Sequence, residues 1–305
     1  MRWPVSSIPG EQSPLCNSGV ADAAYAARAP RMKGAKAEQW LTSLERHMGP
    51  LWSRPVTELT APVLMEHLTP LVRTRTESAR KAVGRISIVF KQAEAMGIPV
   101  SNPAPALRAA LPWPKRSKRH HAAVTLEAAP AAFQRILQTD TTSAAVLAVT
   151  ILTGARCGTI RHMRSDWVSG DVYTAPGEVM KMDQPHAYPL TPVALGLVRR
   201  WSEAGDPVVF ASRAGGALSD MAVLKLQKQI VPNTTVHGWR SVLTDWLRES
   251  EHADDDLINA TLAHSSKAAR AAYARSSLVD RRRDILEKWE SYLLPGGLGS
   301  MAKYI

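Results

Sequence analysis

Residues 237–249, with the sequence HGWRSVLTDWLRE, have the spacing of an amphipathic helix. His237 and Arg240 are three residues apart, so their imidazole and guanidinium groups project from the same face of the helix. Trp239 and Trp246 belong to the opposite, apolar face. The stretch therefore predicts a helix that buries tryptophans on one side and presents a cationic pair on the other.

Three other short motifs supply further polar groups. Gly154 permits a sharp turn after an apolar helix and places Arg156 directly after that turn. Lys181 lies at the edge of a predicted hairpin, and the LAHSS motif containing His264 is followed nine residues later by Tyr273. Each motif alone has an ordinary explanation: an arginine after a helix C-terminus, a solvated lysine, or a packed tyrosine.

Taken in order, TGAR, Lys181, HGWR, LAHSS and Tyr273 resemble the catalytic signature of the tyrosine recombinases, the phage integrase family. The resemblance covers roughly residues 124–290. The sequence YARSSLVDRRRDILEKWESYL is also similar to the tail of integrases from satellite prophages and genomic islands. VTELTAPVLMEHLTPL, the arginine-rich long helix and SNPA resemble the core-DNA-binding domain of that group. Because five motifs match in the family's order, membership of this family is favoured over the ordinary explanation of each motif taken alone.

The resemblance implies a role for each matching residue. Two arginines would clamp the scissile phosphate, and a tyrosine would attack phosphorus to leave a 3′-phosphotyrosyl link. A lysine would protonate the leaving 5′ oxygen, one histidine would act as base or proton relay, and the other would hydrogen-bond a non-bridging oxygen. The clamping arginines are Arg156 and Arg240, and the attacking tyrosine is Tyr273. The lysine is Lys181, the histidine that acts as base or relay is His237, and the histidine that bonds the non-bridging oxygen is His264.

The resemblance also implies partners and departures. Double-stranded DNA would be bound by a homotetramer, in which the tail LLPGGLGSMAKYI is a plausible donor to the neighbouring protomer. Accessory DNA-bending or directionality factors are further candidate partners, and no cofactor or metal is implied. Thr159 stands where the family usually has an acidic residue that buttresses the site. Residues 1–34 are too short and irregular for the family's N-terminal arm-binding domain, so we expect that domain to be missing.

Helical periodicity dominates both halves of the chain. Residues 76–96 carry one apolar stripe, and residues 141–154 form another apolar helix. The strand-like runs DVYTA, GEVMKM and HAYPL are confined to residues 171–190. We predict a mainly α fold with a small antiparallel β-sheet, comprising a helical core-DNA-binding domain and a tyrosine-recombinase catalytic domain. The predicted segments are an irregular leader over 1–34, the helical domain over 35–112, a basic linker over 113–123, the catalytic domain over 124–290 and a tail over 291–305.

Positive charge is concentrated in the first two fifths of the chain. The net charge is +11, and residues 1–120 hold 18 of the 38 basic residues but only 8 of the 27 acidic ones. Such asymmetry indicates a polyanionic partner, most often nucleic acid. The candidate DNA-binding residues lie on the long helix and the linker: Arg80, Lys81, Arg85, Lys91, Lys115, Arg116, Lys118 and Arg119.

Composition excludes several classes of protein. Two cysteines cannot build a disulfide framework or a four-thiolate zinc site. Since no apolar run suits a membrane span or a signal peptide, we expect a cytoplasmic, nucleoid-associated bacterial protein with no membrane contact. The predicted function is site-specific DNA recombination for integration or excision of a mobile element. The alternatives are a type IB topoisomerase-like enzyme and a non-catalytic DNA-binding regulator derived from an integrase.

Overall fold

The computed structural model describes residues 16–32, 35–115, 122–181, 183–202, 207–264 and 275–297. The chain divides into two compact units, Met1–Lys118 and Arg119–Ile305, each with its own apolar core. The division falls within the segment that was predicted to be a basic linker. Across the described ranges, no helix combines the length and apolar character needed to cross a membrane.

The N-terminal unit is a helical bundle built around one long helix, α4. Its described α-helices are α1 (Asn17–Ala26), α2 (Ala35–Met48), α3 (Ala61–Thr74), α4 (Thr76–Ala95) and α5 (Ala104–Ala110). Helix α4 packs against the other four. Its predicted apolar stripe is buried, because every fourth or third residue returns to the same face: Ala79, Val83, Ile86, Phe90 and Ala93.

The prediction of an irregular leader over residues 1–34 is wrong for α1. This helix begins after Cys16, whose sulfur accepts a hydrogen bond from the Gly19 N–H at 3.5 Å. Val20, Ala21 and Ala24 are buried, and α1 packs closely on α4. Small side chains let two helices approach each other but give little hydrophobic periodicity, so the sequence pattern was weak there.

The C-terminal unit surrounds a helix that is buried on every side. Residues 144–153 of α7 are all buried, because helices from both ends of the unit pack around it. From the last of these helices, Trp289 donates a hydrogen bond from its indole N–H to the Ile151 carbonyl oxygen at 3.1 Å. The described α-helices are α6 (Ala129–Leu137), α7 (Thr142–Thr153), α8 (Cys157–Arg161), α9 (Pro192–Trp201), α10 (Asp220–Ile230), α11 (Gly238–Glu249), α12 (Asp255–Thr261) and α13 (Arg275–Leu293).

A three-stranded antiparallel sheet lies between α8 and α9. Its strands are β1 (Val168–Ser169), β2 (Val172–Ala175) and β3 (His186–Pro189), in the order β1-β2-β3. Tyr173 pairs with Tyr188 in the register of β2 and β3. The expectation of a mainly α fold with a small antiparallel sheet is confirmed.

The described part of the run GEVMKM, residues 177–181, is not the strand that was predicted. Residues Gly177–Val179 form a single 3₁₀ turn. A Cβ atom on Gly177 would lie 2.7 Å from the Asp183 carbonyl oxygen, so the chain folds back on itself at this glycine. Asp183 has a positive φ of 56°, which completes the reversal into β3.

Candidate active site

Arg240 lies in the first turn of α11 and is only 5% exposed. Its guanidinium donates hydrogen bonds to the carbonyl oxygens of Gly154 and Leu262, the latter at 2.6 Å, and to Nε2 of His264 at 3.1 Å. Burial and the charge of Arg156 lower the pKa of Arg240 to about 10, so the group remains cationic at neutral pH. One buried arginine thus joins three separate segments of the chain.

Arg156 follows a turn that only glycine fits. Gly154 ends α7 in the left-handed conformation, with a φ of 65°. A Cβ atom there would lie 2.7 Å from Cδ2 of Leu243. Arg156 is the N-cap residue of α8 and is partly exposed. Among the described residues, no hydrogen bond or ion pair engages its guanidinium, which leaves this cation available to an anion.

His264 is presented by a turn after α12, in which Ala263 has a positive φ of 48°. Desolvation lowers the pKa of His264, and the charges of Arg240, Arg156 and Lys181 lower it further. The ring is therefore neutral at pH 7. Because its Nε2 accepts from Arg240, the neutral ring carries its proton on Nδ1.

Lys181 is exposed on the connection between β2 and β3. Its charge contributes to the lowered pKa of His264, so the ammonium group lies within electrostatic range of that ring. The structure thus brings together four of the six residues implied to be catalytic: Arg156, Lys181, Arg240 and His264. Tyr273 lies outside the described residues.

His237 is the N-cap residue of α11, with an exposed side chain, and its carbonyl oxygen accepts the Arg240 N–H at 3.1 Å. A Cβ atom on Gly238 would lie 2.4 Å from the Ala122 carbonyl oxygen. The same oxygen accepts the Thr235 N–H at 3.0 Å. Ala122, at the end of the predicted linker, therefore packs against the start of α11, and this close packing explains the glycine of HGWR.

Thr159 is buried beside the sheet. Its hydroxyl donates to the sulfur of Met180 at 3.9 Å, and its carbonyl oxygen accepts from the hydroxyl of Tyr173 at 3.0 Å. Tyr188 also donates to the Met180 sulfur at 3.9 Å. Neutral groups thus pack at the position where the resemblance implies an acid.

Sequence reasoning missed a second buried pair, His186 and Arg282. Arg282 donates to Nε2 of His186 at 2.8 Å, and burial lowers the pKa of Arg282 to about 10. Burial, followed by the charge of Arg282 and those of Arg156 and Arg240, lowers the pKa of His186 to about 3. Arg282 could have been found from its spacing, because it lies on the same helical face as the buried Leu286.

The electrostatics of the whole site are cationic. The charged side chains that lower the pKa values of His264 and His186 are all arginine or lysine. Among the described groups, the phenol of Tyr188 is the only titratable neighbour that raises the pKa of Arg240. Such a site can bind a phosphate and stabilise the additional charge that develops during its transfer.

Two predicted DNA-binding arginines on α4 are engaged within the N-terminal unit. Arg80 lies over the ring of Trp113, 4.7 Å from the centroid, and pairs with Glu77 at 3.4 Å. Arg85 lies over the ring of Trp40 at 5.9 Å, and burial lowers its pKa. The stem and head of Arg85 therefore cover an aromatic side chain within the unit.

The described lysines of α4 and the linker differ from these two arginines in the exposure of their side chains. Lys81, Lys91 and Lys115 are exposed, so their charges are accessible to a ligand. The other linker candidates lie outside the described residues: Arg116, Lys118 and Arg119.

A cluster of two arginines, a lysine and a histidine on a mainly helical unit is suited to binding a phosphodiester. Comparison with known protein families identifies the family to which the chain belongs. The phage integrase central domain matches residues 18–110, and the phage integrase family matches residues 124–278, which include all six positions implied to be catalytic. The chain belongs to the phage integrase family, the tyrosine recombinases, and the expectation from the sequence motifs is confirmed.

The relatives include prophage integrases of Escherichia coli K12. IntZ is 29% identical over 279 residues, covering 88% of this chain and 69% of IntZ; IntA is 25% identical over 272 residues, covering 85% and 65%. Lambda integrase has a similar fold. Its dimer bound to a COC′ core site matches with a TM-score of 0.64 and 18% identity, covering 86% of this chain and 77% of that one. Its tetramer bound to a Holliday junction gives 0.63 and 17%, covering 82% and 77%.

Proposed function

We propose that this protein is a site-specific recombinase that cuts and rejoins duplex DNA for the integration or excision of a mobile element. The observation that carries the proposal is the convergence of Arg156, Arg240, Lys181 and His264 around one cationic site. A phosphodiester is the ligand that such a site fits, because it supplies the missing negative charge and accepts from planar guanidinium donors.

In the proposed reaction, the hydroxyl oxygen of Tyr273 forms a bond to phosphorus while the bond from phosphorus to the 5′ oxygen breaks. His237 takes or relays the phenolic proton, and Lys181 gives a proton to the departing 5′ oxygen. Arg156 and Arg240 hold the non-bridging oxygens, whose charge increases in the transition state. A 5′ hydroxyl of the partner strand then attacks the phosphotyrosine, which restores the tyrosine and the DNA backbone without an external energy source.

His264 completes the phosphate contacts in this proposal. Its neutral ring has a donor at Nδ1 and is oriented at Nε2 by Arg240. Donation from His264 to a non-bridging oxygen is compatible with the hydrogen bond that already exists. Thr159 would leave the site without a carboxylate support, so the geometry of Arg240 relies on the carbonyl acceptors of Gly154 and Leu262.

The partners follow from the reaction. Exchange between two duplexes requires four active sites, so we propose a homotetramer on DNA, supported by the lambda integrase tetramer on a Holliday junction. The predicted tail over 291–305 begins inside the fold, because α13 runs to Leu293 and Leu294 is buried. The residues after Leu294 would contact a neighbouring protomer, and accessory bending or directionality factors would act at the same DNA. The proposed location is the bacterial cytoplasm, with the nucleoid.

A nicked suicide substrate taken from DNA that flanks the encoding gene tests the chemistry and the site together. The full-length protein should give a denaturant-resistant adduct with a DNA 3′ end. Tyr273→Phe should abolish the adduct and keep the DNA affinity, because only the attacking oxygen is lost. Tyr292→Phe is the matched control, since that hydroxyl donates to the Leu126 carbonyl oxygen within the fold.

Three results would contradict the proposal. An adduct that survives Tyr273→Phe, or that maps to another tyrosine, would show that the nucleophile is assigned wrongly. Efficient relaxation of a supercoiled plasmid without an attachment site would indicate the topoisomerase activity instead. Binding without any adduct would indicate the non-catalytic regulator.

A further inference from the structure

Arg282 forms a buried connection between α13 and the first two residues of β3. The side chain is 4% exposed. Its Nη1 donates to Nε2 of His186 and to the Ala187 carbonyl oxygen, both at 2.8 Å. Its Nε donates to the Leu278 carbonyl oxygen of its own helix at 2.9 Å, which fixes the direction of the guanidinium. Two elements distant in sequence are thus joined by one planar group.

A buried cation held by neutral acceptors is costly for the fold. Among the described residues, no carboxylate pairs with Arg282, and the phenol of Tyr188 is the titratable group that raises its pKa. Transferring a charge out of water without a counter-ion opposes folding. An apolar residue at this position of α13 would serve packing better, so stability alone does not account for Arg282.

His186 extends the connection to a third element. The backbone of Ala260 on α12 raises the pKa of His186, and Nη1 of Arg282 lies 3.5 Å from the Ala260 carbonyl oxygen. The ring packs edge-on against Tyr188, with centroids 4.5 Å apart. The Arg282–His186 pair therefore fixes the start of β3 against both α12 and α13.

The start of β3 is directly connected to the turn that carries Lys181. Lys181 precedes His186 by five residues, and the Asp183 carbonyl oxygen, which lies between them in the chain, faces Gly177. Because only four residues separate the two positions, we expect a displacement of His186 to displace the lysine. A second element of the connection leads to another proposed catalytic residue, because α12 ends three residues before His264.

We propose that Arg282, through His186 and Ala187, is a positioning residue for Lys181. It sets the place of the ammonium group relative to the leaving 5′ oxygen and need not contact DNA itself. This inference rests on the proposed function, in which Lys181 is the general acid. Correct placement of an acid matters because a displacement of about 1 Å can cost on the order of 100-fold in rate.

The test compares two leaving groups in single-turnover cleavage at saturating DNA. Arg282→Met removes the donors at similar volume and should slow cleavage of ordinary DNA by about 30- to 100-fold. A substrate with sulfur at the 5′-bridging position needs no proton to depart, so the defect should shrink to about threefold. Arg281→Met is the matched control: Arg281 is an exposed neighbour paired with Asp254 at 3.1 Å, and its removal should change both rates by less than about twofold.

A second pair of variants tests the acceptor. His186→Gln keeps a hydrogen-bond acceptor and a donor and should stay within about threefold of the wild-type rate, whereas His186→Leu should reproduce the leaving-group-dependent defect. If Arg282→Met does not fold, this pair decides the question. Equal defects on both substrates, or loss in His186→Gln equal to that in His186→Leu, would overturn the inference. Lys181→Ala separates the two proposals, since failure of sulfur to rescue that variant would instead reject Lys181 as the acid.

Discussion

Arg240 donates to Nε2 of His264 at 3.1 Å, so the protonation state of the histidine is tied to the position of the arginine. A protonated ring would lose the acceptor at Nε2 and place two cations in contact. The lowered pKa of His264 agrees with this arrangement. A phosphate bound beside the pair would raise the pKa of His264, because its negative charge offsets the positive charges of Arg240, Arg156 and Lys181.

The first prediction concerns the titration of His264. In the DNA-free protein, its pKa should lie below the ordinary value of 6.5, and binding of DNA should raise it. NMR of the ring carbon-bound proton, assigned with His264→Gln, measures both values. A pKa of 6.5 or higher without DNA would contradict the electrostatic description of the site.

The second prediction concerns stability in acid. The folded pKa of His186 is lowered to about 3, so the unfolded chain binds a proton more readily than the folded one. The stabilising effect of the neutral ring is complete above pH 6.5 and is lost as the pH falls toward 3. Relative to His186→Gln, the wild type should lose at most about 1.4 kcal/mol of unfolding free energy per pH unit between pH 6 and 4. Urea denaturation at several pH values measures this difference, and parallel pH profiles would refute the burial of a neutral ring.

The third prediction separates backbone strain from close packing at the Gly154 turn. Gly154→Ala should destabilise the protein by about 2–4 kcal/mol, because it combines a left-handed backbone with a Cβ contact to Leu243. Gly170→Ala is the matched control, since Gly170 has a similar φ of 61° and no atom near its Cβ position. It should cost about 1 kcal/mol. Equal losses in urea denaturation would mean that Leu243 yields without cost.

The fourth prediction concerns the exposed lysines of α4. Lys81→Gln and Lys91→Gln should each reduce the slope of log affinity against log salt by about 0.9, if each lysine neutralises one DNA phosphate. Arg54→Gln is a control in the same unit, because Arg54 is already paired with Glu58 at 2.8 Å, and it should change the slope less. Fluorescence anisotropy across a salt series measures the slopes. Unchanged slopes for both lysine variants would place the DNA contact on another face.

Patterns that are local in the chain were predicted well. The helix after His237 was expected from spacing alone, and Trp239 and Trp246 are buried as that spacing requires. The strand prediction for GEVMKM was wrong because the alternation of its residues resembles that of a strand. Its conformation is instead decided by the approach of Gly177 to the Asp183 backbone. That contact is made only when the chain folds back, so no pattern over six residues contains it.

The buried Arg282 shows a second limit of sequence reasoning. Arg281, Arg282 and Arg283 are identical in sequence terms, and a run of three arginines is usually solvated. Which one enters the core depends on the rotation of α13, set by Trp289 and by its contact with Ile151 in α7. Helical phase could have singled out Arg282, but its acceptor on β3 could be known only from the tertiary structure.

The unopposed charge around Arg156 has a consequence for any attempt to evolve this protein toward higher stability. Arg156 lowers the pKa of Arg240 by repulsion. Replacing one of the two arginines would therefore remove a repulsive interaction and stabilise the folded state. Selection for heat resistance alone should therefore enrich neutral residues at position 156, and the survivors should be inactive. Selection that also requires strand exchange should keep Arg156 and enrich stabilising substitutions at other positions.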